Sequence, residues 1–369
     1  MPGFSNRTVI GVVRGIKVLL SLEVLVTRGA LPGQKPAPPA APPRARKELV
    51  RVRQRLRKRE RELGRLRAEH ERTNGGVEPA RGVEPGNMIW LFGSGRTGSS
   101  WLSAMMGDIE GQFRWNEPYV GELFGTAYYL RAGDRMRGRK DYVLADSDRE
   151  ARMRAIRSFV LESANARFSD AAGPGRYVVV KEPNGSLGAP LLMEALPESR
   201  MVLLVRDPRD VVASALASQK KGSWGNQWRP DGSAESLADT DPDAFVRQNA
   251  HMFLLNLGKA REAYEAHGGL KAIVRYEDLR ENTLETMKRL YSSLEVPVDE
   301  GALARVVEKH DWENVPEKKK GPDKPHRKAT PGGWREDLTD GQARMVEEIA
   351  SPVLDEFYPG WASTETDQV

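Results

Sequence analysis

The 369-residue chain contains no cysteine, which excludes disulfides, thiolate metal sites and cysteine nucleophiles. Histidine is scarce, and His70, His251, His267, His310 and His326 include no pair at the HExxH spacing that places two ligands on one helix face. They read as surface or packing residues, and no metal is expected. Long apolar runs are missing too. Val9 to Val26 is the nearest approach, but Arg14, Lys17 and Glu23 interrupt it, and each charge costs about 2.5–3.5 kcal/mol near a bilayer centre. A spanning helix is therefore disfavoured. A helix lying on a membrane surface or on a partner, and an ordinary packed leader, both fit the stretch. The expected location is the cytoplasm.

Positive charge is concentrated in one place. Arg44 to Arg72 carries 13 Lys or Arg against 5 Glu, an excess larger than the whole chain's +5. The remainder is slightly acidic and offers no general footprint for DNA or RNA. Residues 1–30 form the apolar, basic leader. Residues 31–43, with Pro32, Pro36, Pro38, Pro39, Pro42 and Pro43, read as an extended linker. Over residues 44–72, Leu49, Val52, Leu56, Leu63 and Leu66 follow heptad steps with Arg59 in the skipped core position. That pattern fits either a solvated basic helix or a short coiled coil joining copies of the chain. Residues 73–86 read as a hinge built on a repeated Gly-Val-Glu-Pro. From 87 to 361, short apolar strands (Met88–Phe92, Tyr177–Val180, Met201–Val205, Ala272–Val274) alternate with helical patterns, leaving 362–369 as a tail. The alternation predicts an α/β fold with a parallel sheet flanked by helices.

After the first predicted strand comes Gly93-Ser94-Gly95-Arg96-Thr97-Gly98-Ser99-Ser100-Trp101, followed by a helical run. Glycines let successive N–H groups converge on a phosphate, and the helix dipole favours an anion there. A Walker motif would carry lysine after Gly98, where Ser99 stands, so ordinary ATP or GTP hydrolysis is disfavoured. A second string, Arg206-Asp207-Pro208-Arg209-Asp210-Val211-Val212-Ala213-Ser214, follows another strand.

Together these strings resemble the sulfotransferase family that uses 3′-phosphoadenosine 5′-phosphosulfate (PAPS). The resemblance covers about Met88 to Trp361 and implies a P-loop-like fold. It implies a 5′-phosphosulfate loop of Gly95, Arg96, Thr97, Gly98, Ser99, Ser100 and Trp101, with Trp101 against the adenine or merely packed in its helix. It implies that Arg206 and Ser214 grip the 3′-phosphate, a task suited to arginine's two-pronged fork. Tyr276, in Arg275-Tyr276-Glu277-Asp278-Leu279, would contact the adenine. Arg327 and Lys328 resemble a late phosphate loop in which Ala329 replaces the usual glycine. Cytosolic members carry lysine at Arg96, and several carbohydrate members carry arginine.

Sulfuryl transfer needs a base for the acceptor proton and cations for the sulfuryl and leaving oxygens. Lys181 at a strand end and Arg96 are candidates for the cations. The histidine that cytosolic members place two residues beyond that lysine is missing from Lys181-Glu182-Pro183-Asn184, so the base is expected to be a carboxylate. Glu117, in Trp115-Asn116-Glu117-Pro118 on the loop after the first helix, is the first choice and Glu182 the second. The expected acceptor is a hydroxyl or amine, with carbohydrates and lipids as candidates; Trp224 and Trp228 would offer a flat face to either, or serve equally as loop anchors. Lys220, Lys221 and Arg229 would suit an anionic acceptor. A non-catalytic nucleotide-binding scaffold and a small-molecule kinase of P-loop type are the alternatives.

Overall fold

The computed structural model describes residues 82–225, 236–321, 324 and 328–361. The leader, the linker, the basic segment 44–72, most of the hinge, the tail, and Trp228, Arg229 and Arg327 lie outside the described residues. The chain divides into two units, Met1–Val77 and Glu78–Val369, of which only the second is described.

Five parallel strands form one sheet, β1 Met88–Phe92, β2 Gln112–Asn116, β3 Tyr177–Lys181, β4 Arg200–Val205 and β5 Lys271–Arg275, in the order β2-β3-β1-β4-β5. Apolar residues alternate between two cores. Met88, Trp90, Phe92, Val178, Val180, Met201 and Leu203 belong to one, and Ile89, Leu91, Val179, Val202 and Leu204 to the other. Helices therefore cover both faces, which is why β1, β3 and β4 are nearly continuous apolar runs rather than alternating ones. Among the described residues no helix is long and apolar enough to cross a membrane.

One strand was not expected. Gln112–Asn116 pairs with β3 in the register Asn116↔Lys181, so Trp115 and Asn116 belong to an edge strand and Glu117 follows that strand rather than the first helix. Arg114 at its centre and its half-exposed burial pattern hide the strand from a search for apolar runs.

Helix α1 (Ser99–Gly107) follows β1, α2 (Val120–Gly125) follows β2, and α3 (Pro208–Gln219) follows β4. A 3-10 segment, Pro183–Gly188, follows β3. The long α4 (Pro242–Ala266) precedes β5, and α5 (Tyr276–Glu281) follows it. Helix α3 starts where Pro208 supplies the first-turn residue without an N–H, and Asp207 accepts from Arg209 N at 2.8 Å. Every strand thus delivers its carboxyl end to the same rim, where ligands bind in open α/β sheets.

Candidate active site

The loop leaving β1 is tied to both neighbours. Gly93 N donates to Ser186 Oγ at 2.8 Å after β3. Across β4, Arg206 Nη1 donates to the Arg96 carbonyl at 2.9 Å, and Arg96 Nε donates to Ser214 Oγ at 3.0 Å. Gly98 has φ 85°, and a Cβ there would lie 2.6 Å from the Tyr276 ring. Gly98→Ala should therefore cost about 1–2 kcal/mol in left-handed backbone alone, with the ring overlap adding to it. A fall in the denaturant midpoint checks this, and an unchanged midpoint would refute the assigned turn.

A cavity of about 630 Å³ opens over this loop. Its lining includes Arg96, Gly98, Ser100, Trp101, Arg206, Ser214 and Tyr276, which places most of the expected nucleotide residues around one space. Arg206 stacks over the Tyr276 ring at 4.2 Å, and its Nε is buried with no hydrogen-bond partner among the described residues. Asp210 steadies it from 3.9 Å and also accepts from Gly332 N and Trp334 N at 2.8 and 2.9 Å. Burial pushes the Asp210 carboxyl up, against the pull of Arg206 and those two amides. Trp101 both lines the cavity and donates its indole N–H to the His310 carbonyl at 2.9 Å.

The proton-transfer candidates stand at the adjoining ends of β2 and β3. Glu117 N donates to the Lys181 carbonyl at 2.8 Å, extending the strand register by one residue. The side chains meet as well: Lys181 Nζ lies 2.7 Å from Glu117 Oε1 and 3.2 Å from Ser100 Oγ, on the cavity wall. Burial lowers the Lys181 ammonium from its usual range, opposed by the hydrogen bond and charge of Glu117. Tyr119 OH and Asn184 Nδ2 also donate to Glu117, at 3.3 and 3.4 Å. Glu182 faces elsewhere. It is 1% exposed, and its carboxylate accepts from Tyr119 N at 3.0 Å and Gly121 N at 3.2 Å. Burial pushes that carboxyl up to about 7, against the two amides.

The remaining residues divide. Gly95 lies beside Asn184, Thr97 donates to the Ser94 carbonyl at 2.8 Å, and Ser99 is buried in the first turn of α1. Lys328 lines the cavity while bonded to Glu336 and Asp337 at 2.7 and 3.1 Å. Ala329 adopts φ 53°, the left-handed conformation that the usual glycine would favour. Trp224 lies under the Arg96 guanidinium at 5.1 Å. Sequence reasoning missed Arg280, which stacks on Trp101 at 5.2 Å, and Trp312 and Arg114, which also line the cavity. The only local signal was the position of Arg280 four residues after Tyr276.

A family model described as the sulfotransferase family matches residues 89–300, more than half of the chain. A search of curated proteins gave no match. Among solved structures, mouse sulfotransferase SULT7A1 complexed with PAP is 14% identical, with TM-score 0.46 over 76% of this chain and 89% of that one. Sulfotransferase STF9 from Mycobacterium avium is 16% identical, with TM-score 0.46 over 75% and 77%. A retinol dehydratase in complex with retinol and PAP is 15% identical, with TM-score 0.43 over 75% and 83%.

Proposed function

Because the chain belongs to the sulfotransferase family, we propose that it uses PAPS as donor and that Glu117 is the base that takes the proton of a hydroxyl or amine acceptor. The observation carrying this reading is the cavity lined by Arg96, Ser100, Arg206, Ser214 and Tyr276, whose Ser100 wall is bonded by Lys181 and through it to Glu117. The cavity suits the nucleotide. It offers a buried guanidinium with an unused N–H, and the faces of Trp101, Tyr276 and Trp312 for a base.

When bound, PAPS would supply the sulfuryl group, with PAP as the leaving group. Arg206 and Ser214 would hold the 3′-phosphate. Arg96 and the N–H groups at the start of α1 would face the 5′-phosphate. Lys181 sets a cation beside Ser100, and Glu117 accepts the acceptor's proton. The sulfotransferase domain is assigned to residues 87–361, with a carbohydrate or lipid acceptor and a cytoplasmic location.

Calorimetric titration tests the donor. PAP is expected to bind far more tightly than 5′-AMP, which lacks the 3′-phosphate, and to be displaced poorly by ATP. Equal affinity for PAP and 5′-AMP, or preference for ATP, would overturn the PAPS assignment.

A further inference from the structure

Glu117 is held in an unusual turn. Glu117 and Tyr119 both have positive φ, 46° and 58°, a conformation that costs a non-glycine residue about 1–3 kcal/mol and persists only where the surroundings fix it. Between them Pro118 restricts the chain further. Nothing in the local sequence favours this turn, so what fixes it must come from elsewhere in the fold.

We propose that Glu182 is a positioning residue whose buried carboxylate clamps this turn and so presents Glu117 to Lys181. Each carboxylate oxygen accepts one backbone N–H, from Tyr119 and from Gly121. These amides flank Val120, the first residue of α2, so the clamp sets both the turn and the direction in which the helix leaves it. Glu182 follows Lys181 directly, and its own N donates to the Leu91 carbonyl of β1 at 3.0 Å. The clamp is therefore anchored to the centre of the sheet.

Four glycines allow the two segments to meet. A Cβ on Gly121 would lie 2.1 Å from the Gly185 carbonyl, and one on Gly188 would lie 2.2 Å from the Gly121 carbonyl. A Cβ on Gly125 would lie 2.5 Å from Gly188 N, and one on Gly185 would lie 2.0 Å from Glu182 Oε1. Helix α2 thus rests backbone to backbone on Pro183–Gly188, with Glu182 wedged at the head of the contact. Steric fit sets the separation and the carboxylate sets the register. A carboxylate turned wholly to backbone amides is badly placed to take a proton from an acceptor, so Glu182 supports a base rather than acting as one.

The inference rests on Glu117 being the base, and a double-mutant cycle separates the two ideas. The probe is release of inorganic sulfate from PAPS with water as acceptor, alongside calorimetric PAP affinity. Glu182→Gln keeps the shape but turns an NH2 group towards one of the amides. It should slow sulfate release about tenfold to a hundredfold and leave PAP affinity within twofold, because Arg96, Arg206 and Ser214 stand on other segments, after β1, after β4 and on α3. Added to Glu117→Gln, it should slow the reaction no more than twofold further, since it acts only through Glu117. Multiplying losses, or an active Glu182→Gln, would overturn the positioning role. A fast Glu117→Gln beside a dead Glu182→Gln would make Glu182 the base, and absence of PAP binding would instead remove the PAPS reading. Amide hydrogen exchange in the unaltered protein covers the case of a variant that does not fold or a sulfate release too slow to measure. The Tyr119 amide belongs to a residue that is 47% exposed, yet should exchange as slowly as strand amides; exchange at the rate of open chain would overturn the clamp.

Discussion

Replacing Glu117 by glutamine should lower sulfuryl transfer by about 10²–10⁴-fold, the range ordinarily supplied by a positioned base, and leave PAP affinity nearly unchanged. Glutamine retains an oxygen that can accept from Lys181 and Asn184, so the hydrogen-bond pattern of the pair is largely kept. The charge is not. The Lys181 side chain is 4% exposed, and without its counter-ion the ammonium is further disfavoured by burial. The variant therefore loses the proton acceptor and weakens the cation beside it, which is why a large effect is expected from one atom. Transfer rates measured with PAP affinity as a control for folding check this. A rate within tenfold of the parent would remove Glu117 as the base.

Arg206→Ala should weaken PAP binding by about 2–5 kcal/mol, as expected when a buried charged hydrogen-bond partner is truncated, or roughly thirty-fold to several thousand-fold. Affinity for 5′-AMP should change much less. The guanidinium also braces the Arg96 carbonyl and stacks on Tyr276, so the loss includes some disorder of the glycine loop. Arg206→Lys separates the two contributions, since it keeps the charge and loses the fork. It should recover only part of the PAP affinity. An alanine variant that binds PAP as well as the parent would show that the 3′-phosphate is held elsewhere.

What was legible in the sequence was what is encoded locally. Gly93 to Trp101 and Arg206 to Ser214 are each a strand end, a turn and a helix start within about ten residues, and the chemistry is carried on the turn itself. Lys181 was visible because it ends an apolar run. The rest depends on contacts between distant segments. Trp312 sits in an irregular stretch with no periodicity, and only the fold brings it to the cavity that Trp101 also lines. Glu182 reads as a second candidate base because burial cannot be read from Lys-Glu-Pro, and the amides that donate to its carboxylate lie some sixty residues earlier. β2 was hidden by a central arginine on an edge strand, where one face needs no apolar cover.

The strand order has an implication for how such a molecule can be changed. The candidate base and lysine leave β2 and β3 on one side of β1, and the 3′-phosphate and adenine candidates leave β4 and β5 on the other. On the proposed reading, the sheet sets proton transfer on one side of the 5′-phosphate loop and the 3′-phosphate and adenine on the other. The two halves are then separable: substitutions after β2 that spare Glu117 and its turn would leave the nucleotide half as it is.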